Sequence, residues 1–203
     1  MNNIIKYFFS QELGLSAEQA DYLACLFSKS CLPKGKLVVG EGERWNKAMF
    51  IDSGLLRFFY STGEGKEYNK GFFFDQDFIW PVTPSAQSEP SLFSIETLSS
   101  TVVYMSDFHE LRSHLKVLGA WEAFALPYVE KLVEQKFKRE YDFLVLDAQT
   151  RFYQLTQRFG ERIDKIPDYH LASYLGITNV ALSRIRKRLT AQEAAHCSGC
   201  LAY

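Results

Sequence analysis

Residues 170–189 read HLASYLGITNVALSRIRKRL. Apolar residues recur at helical spacing on both sides of Gly176, which supplies the positive φ that a tight inter-helix turn demands. Asp168, just after Pro167, is expected to cap the first helix, and Thr178 the second. Leu171, Ala172 and Leu175 give the first helix an inward face, and the small Ala172 lets a second helix cross closely. At about 100° per residue, Thr178, Leu182, Ile185 and Leu189 of the second helix cluster on one side. Val180, Ser183, Arg184 and Lys187 cluster on the other, with Asn179 on the flank. A helix held by its back and presenting Asn, Ser, Arg and Lys has the size and chemistry to enter a DNA major groove. The expected DNA-contacting residues are therefore Thr178, Asn179, Val180, Ser183, Arg184 and Lys187. A surface helical hairpin with a merely solvated basic face would carry the same pattern, so context has to decide.

Upstream, residues 1–30 read as short helices, with Leu13, Ala17, Ala20, Leu23, Ala24 and Phe27 at roughly helical spacing. From Leu32 to Met105 the texture changes to β-prone runs: KLVV, KAMFID, LLRFFY, GFFF, DFIW, LFSIETL and TVVYM. Turn signals separate them, among them Pro33-Lys34-Gly35, Gly40-Glu41-Gly42, Ser53-Gly54 and Gly63-Glu64-Gly65. Seven strands without intervening helices predict an antiparallel roll, and residues 85–90 an exposed loop over it. HELRSHLKVL then predicts a helix, and Pro127 is suited to begin a longer one at its first turn. No Gly or further Pro interrupts the chain from Pro127 to Phe159. Tyr128, Leu132, Phe143 and Leu146 form its stripe, broken by Gln135 and Arg139; such a helix packs on its own domain or joins two copies.

Composition narrows the function classes. The chain has 203 residues, 47% hydrophobic, with a formal net charge of −1. Residues 147–203 nevertheless hold eight Lys or Arg against five Asp or Glu, a mildly basic end suited to a polyanion. No apolar run approaches the roughly 20 residues of a membrane span, and MNNIIKYFFS is too polar for a secretory signal, so the cytoplasm is the expected location. The histidines are His109, His114, His170 and His196, so the strand region has none, which argues against a metal-dependent enzyme on the roll. There is no Gly-x-Ser-x-Gly and no Gly-rich phosphate loop, so no catalytic residue is assigned and a non-enzyme is expected. Cys25 reads as a core thiol of an early helix. Cys197 and Cys200 have Cys-x-x-Cys spacing, half of a zinc site or a disulfide; no metal site is assigned.

Taken together, the order of β-roll, long helix and terminal helix pair resembles the CRP/FNR family of transcription regulators. LASYLGITNVALSRIRKRL is similar to that family's helix-turn-helix signature, and GLLRFFYSTGEGKEYNKGFFFDQDF to its roll. The resemblance covers about residues 10–190. It implies an α+β fold: an N-terminal antiparallel double-stranded β-helix, a jelly roll of the cyclic-nucleotide-binding-like type, over 1–118; a central dimerisation helix over 119–146; and a helix-turn-helix domain with a short tail over 147–203. It also implies a homodimer on a two-fold-symmetric operator in double-stranded DNA, with half-sites about 34 Å apart. Arg184 matches the family's recognition-helix arginine, suited to grip guanine, with Ser183 and Lys187 suited to phosphates or base edges. Asn179 and Val180 stand where the best-known branch has Arg and Glu, so that branch's operator is not implied. The tail TAQEAAHCSGCLAY lacks the alternation of the family's wing hairpin.

The family's cyclic-nucleotide binders carry a Gly-Glu-Leu turn and an Arg-Ala pair on the phosphate. Here the stretch reads FFFDQDFIWPVTPSAQSEPSLFSIETL, with no Gly-Glu-Leu and no Arg or Lys between Lys70 and Arg112. A buried phosphate without cation or amide nest is poorly stabilised, so no cyclic nucleotide and no other cofactor is expected. The family's oxygen-sensing branch needs four cysteines around a cluster, and Cys25 and Cys31 match no such run. Glu96 reads as an outward strand carboxylate. The dense aromatics of the roll, Phe58, Phe59, Tyr60, Phe72, Phe73, Phe74, Phe78, Trp80 and Phe93, read mostly as core. A few could line an apolar pocket, which leaves a small-molecule effector open. RNA polymerase is a further partner if the protein activates. The competing reading is an interaction or apolar-ligand-sensing module that keeps the architecture without DNA binding.

Overall fold

The structure, a computed structural model, describes residues 3–199, with side chains of the last helix described to Leu189. It comprises two compact units, Met1–Phe137 and Lys138–Tyr203.

The first unit opens with helices α1 (Asn3–Glu12) and α2 (Ala17–Cys25). Ser16 caps α2 reciprocally: its hydroxyl accepts from the Gln19 amide while the Gln19 side chain accepts from the Ser16 amide. Eight strands follow: β1 (Ser28–Leu32), β2 (Leu37–Val39), β3 (Lys47–Ser53), β4 (Leu56–Ser61), β5 (Glu67–Phe73), β6 (Phe78–Ile79), β7 (Ser94–Thr97) and β8 (Thr101–Asp107). They form two antiparallel four-stranded sheets, ordered β1-β8-β3-β6 and β2-β7-β4-β5. The sequence predicts seven strands, and β1 is the eighth. Its residues, SKSCL, show no apolar run because it is an edge strand, held to β8 by backbone pairing and largely exposed.

Period-two alternation explains why β3 is buried along most of its length. Met49 and Ile51 point between the sheets, meeting Leu56 and Phe58 of β4, Ile95 of β7 and Val103 of β8. Ala48 and Phe50 point the other way, into a second core with Phe9 of α1, Leu23 of α2 and Phe78 and Trp80 from the roll. Helix α4 (Phe108–Val117), capped by Asp107, adds Phe108, Leu111 and Leu115 to that core. Residues 85–90 are not a plain loop, because Thr83 caps a short helix, α3 (Pro84–Ser88). Cys25 is exposed at the end of α2, since Leu23 and Ala24 take the inward positions.

Helix α5 (Trp121–Val145) begins earlier than expected, so Pro127 lies inside it. The two turns before Pro127 bury Phe124 and Ala125, and Phe124 packs edge-on against Phe78 at 5.1 Å. That burial offsets the backbone hydrogen bond that proline cannot make. Tyr128 faces its own unit, 5.6 Å from Trp80. The exposed stripe of α5 is another one: Leu126, Val133, Phe137 and Leu144 point to solvent and fall within about 40° of each other around the axis.

In the second unit the run expected to continue to Phe159 breaks at Asp147, which caps α6 (Ala148–Phe159). A 3-10 turn (Gly160–Lys165) leads to α7 (Asp168–Leu175) and α8 (Asn179–Gly199). The roll, long helix and terminal helix pair make the fold α+β. No helix among the described residues is long and apolar enough to cross a membrane.

Candidate nucleic-acid interface

The turn between α7 and α8 is set by three backbone features. Gly176 sits at φ 69° and ψ 32°, its amide donates to the Ser173 carbonyl at 3.2 Å, and the Ile177 amide reaches back to Ala172 at 3.0 Å. This pair of bonds closes α7 with a left-handed residue just past its end. A Cβ on Gly176 would stand 2.9 Å from the Phe143 ring, so the position excludes side chains by space as well as by φ. Thr178 begins the second helix as predicted, its hydroxyl accepting from the Ala181 amide at 3.2 Å. Asp168, by contrast, is the first residue of α7 rather than its cap, which falls on Pro167.

Leu182 and Ile185 of α8 are buried, as are Leu171, Ala172, Tyr174 and Leu175 of α7. Thr178, Asn179, Val180, Ser183, Arg184 and Lys187 are all exposed, Val180 at 62%. Five of them, Asn179, Val180, Ser183, Arg184 and Lys187, therefore lie on the accessible side of a helix anchored by its apolar back, while Thr178 precedes that helix as its cap. Among the described residues no carboxylate forms a salt bridge with Arg184 or Lys187.

Arg186 behaves differently from its neighbours. Its guanidinium pairs with Asp168 at 3.0 Å and Asp164 at 3.8 Å, and sits 5.2 Å over the Phe152 ring. It joins α8 to α7 and α6 instead of offering a charge outward. The helical wheel carries a signal for this, since Arg186 falls beside Leu182 at the edge of the buried side.

Two further arginines tie the unit together. Arg139 donates to the Tyr174 carbonyl at 3.2 Å, and Arg151 to the carbonyls of Leu146 at 2.7 Å and Leu175 at 3.3 Å. Cations at the C-terminal end of α7 also suit the helix dipole. At the start of α6, the Thr150 amide donates to Asp147 Oδ1 at 2.7 Å and holds that carboxyl below the usual aspartate range.

The backbone of α8 continues as helix to Gly199, so among the described residues no strand pair follows it. The side chain of Cys197 and the whole of Cys200 lie outside what the structure describes. No three His, Cys, Asp or Glu side chains come together among the described residues.

In the roll, the dense aromatics are mainly core: Phe58, Phe59, Phe72, Phe74, Phe78, Trp80 and Phe93 are buried, while Tyr60 is exposed. Glu96 is not simply an outward carboxylate. It accepts from Arg57 at 2.6 Å, Arg57 is 5% exposed, and Glu67 meets the same guanidinium at 2.6 Å. Arg57 also lies 3.8 Å over Phe59. Sequence reasoning missed this triad because its members are 39 residues apart at the extremes and meet only through the sheet pairing of β4 with β5 and β7.

No protein-family model and no curated protein sequence matches the chain. Solved structures do. A CooA mutant from Carboxydothermus hydrogenoformans is 14% identical, covers 93% of this chain and 84% of its own, and has a TM-score of 0.70. The global regulator CLP of Xanthomonas campestris is 14% identical over 88% of this chain and 93% of its own, with a TM-score of 0.67. A transcriptional regulator of the crp/fnr family from Eubacterium rectale is 18% identical over 88% and 85%, with a TM-score of 0.59. The chain thus has the fold of the CRP/FNR regulators, and the likeness runs through both units.

Proposed function

We propose that this chain is a DNA-binding transcriptional regulator that acts as a homodimer on a two-fold-symmetric operator. The observation that carries the reading is the exposed side of α8, where Asn179, Val180, Ser183, Arg184 and Lys187 are exposed over a buried Leu182 and Ile185. Arg184 is assigned to guanine, bidentate to O6 and N7, and Asn179 to adenine. Val180 would touch a thymine methyl, while Thr178, Ser183 and Lys187 take phosphates or base edges. The basic balance of residues 147–203 supports a polyanionic partner.

The exposed stripe of α5 is assigned to dimerisation, because four large apolar side chains along one helix face need a cover in water. The functional partition is then a roll over 1–118, a dimer helix over 119–146 and a reading domain over 147–203. Two copies would present recognition helices about 34 Å apart, one turn of duplex. Such a protein works in the cytoplasm and, if it activates, meets RNA polymerase.

Control by cyclic AMP is not part of this reading. The roll's buried arginine, Arg57, already faces two carboxylates, which leaves it little charge for a phosphate. No catalytic role is assigned, in keeping with the regulators that share the fold.

The test is selection of bound fragments from genomic DNA by the purified, reduced protein without nucleotide, followed by affinity against salt. A two-fold-symmetric motif with a steep loss of affinity between low and moderate salt is expected. No enriched motif, together with binding indifferent to salt, would overturn the DNA reading in favour of an interaction module.

A further inference from the structure

We propose that the exposed stripe of α5, once a second copy covers it, forms a proton-binding site in which glutamate faces glutamate, so that the dimer tightens as pH falls. The inference rests on the assignment of this stripe to dimerisation and adds what regulates it. Leu126, Glu130, Val133, Phe137, Glu140 and Leu144 follow one another at alternating steps of four and three residues along α5, and all six are exposed. That is the spacing of a heptad seam, in which each residue shares a layer with one from the facing helix. Glu130 and Glu140 stand about 40° to either side of the line from Leu126 to Leu144, so both border the apolar stripe.

The order of the six is palindromic: apolar, Glu, apolar, apolar, Glu, apolar. In a parallel pair of helices Glu130 and Glu140 each meet their own counterpart in the second copy. In an antiparallel pair Glu130 meets the counterpart of Glu140. Carboxylate therefore faces carboxylate in either orientation, between layers filled by Leu, Val and Phe side chains.

No cation on the helix offsets Glu130. The residues three and four positions from it are Leu126, Pro127, Val133 and Glu134, and the charge among them is a further carboxylate. Glu140 has Lys136 four residues before it, beside Phe137, Phe143 and Leu144, so its share is the smaller. Among the described residues no hydrogen bond or ion pair from any other element engages either carboxylate. Closing the seam brings like charges together and strips water from them, and both effects favour the protonated form. A proton shared by a facing pair removes the repulsion. The dimer then holds more protons than two separate chains, and association strengthens as pH falls. If two copies read an operator together, acid raises its occupancy.

The experiment is sedimentation equilibrium of the full-length chain from pH 5.5 to pH 8 at fixed ionic strength, beside Glu130→Gln and the double variant Glu130→Gln/Glu140→Gln. The parent dimer should be at least tenfold tighter at pH 5.5 than at pH 8. Glu130→Gln should be at least tenfold tighter than the parent at pH 8, and the double variant should vary less than threefold across the range. The double variant also separates the glutamates from the four histidines, which it leaves unchanged. A parent dimer of constant affinity, a Glu130→Gln dimer no tighter than the parent at pH 8, or a double variant with the parent's pH dependence would each overturn the proposal and leave the dimer helix standing. A monomer at every pH in all three proteins would overturn dimerisation through α5, and the proposal with it.

Discussion

Arg186 and Asp168 stand 3.0 Å apart, linking the helix that carries the exposed basic face to the first turn of the helix before it. The pair separates two arginines that look alike in sequence: Arg186 belongs to the fold and Arg184 to the surface. Asp168 is half-exposed, so the ion pair itself is worth at most about 1 kcal/mol. Arg186→Ala should therefore lower the thermal midpoint by a few degrees, through the pair and the lost packing on Phe152, and leave base preference at the operator unchanged. Differential scanning fluorimetry beside a binding assay on operator variants checks both halves.

Arg184→Ala should do the reverse. Its side chain is exposed and forms no salt bridge among the described residues, so the midpoint should stay put while affinity for a cognate site falls by about 1–3 kcal/mol and discrimination relaxes at one base pair. Equal affinity and selectivity in the variant would remove Arg184 from the interface.

Gly176→Ala meets two obstacles, a left-handed backbone and the Phe143 ring. The backbone alone costs about 1–2 kcal/mol for a residue with a Cβ. Chemical denaturation should show at least that loss, and Phe143→Ala in the same chain should recover the steric part but not the backbone part. Recovery to the stability of Phe143→Ala alone would mean that backbone strain is absent.

Phe137→Asp places a charge in the exposed stripe of α5. If the stripe joins two copies, sedimentation should report a monomer, while the circular dichroism of the folded chain is retained. A dimer of unaltered affinity would move the interface elsewhere.

Asp147 gives a pH dependence of known sign. Its folded carboxyl titrates below the usual aspartate range because the Thr150 amide donates to it. The stability it lends is therefore complete above the unfolded aspartate pKa, near 4, and is lost as pH falls through the lower folded value. Asp147→Asn keeps a capping oxygen without a charge, so its melting temperature should vary less with pH below about 4 than that of the parent. Parallel melting curves from pH 2 to pH 7 decide it.

Much of this was legible in the chain itself. The helix pair at 168–189, the Gly176 turn and the split between buried Leu182 and Ile185 and exposed Ser183, Arg184 and Lys187 follow from spacing alone, because a 3.6-residue period fixes which side chains share a side. The roll was legible as alternation broken by turns. Edge strand β1 was not, since an edge needs backbone pairing more than apolar side chains. Nor was the start of α5, where burial of Phe124 outweighs the penalty of an internal Pro127. The Arg57 triad depends on residues far apart in sequence, and no local pattern encodes such a meeting.

The turn of Gly176 and Ile177 leaves no slack between the two helices. Leu182 and Ile185 lock α8 in azimuth, and the Ile177 amide locks it in position along its axis. The recognition surface is thereby indexed like a toothed wheel: one inserted residue after Gly176 would rotate the outward set by about 100° relative to the locked side. A change in chain length at this point would turn the exposed set away from its present direction, whereas exchanges at the exposed Asn179, Val180 or Ser183 would alter only the contacts that surface makes. If α8 reads DNA as proposed, a lineage built on this scaffold can drift to new operators one side chain at a time, with the register held constant.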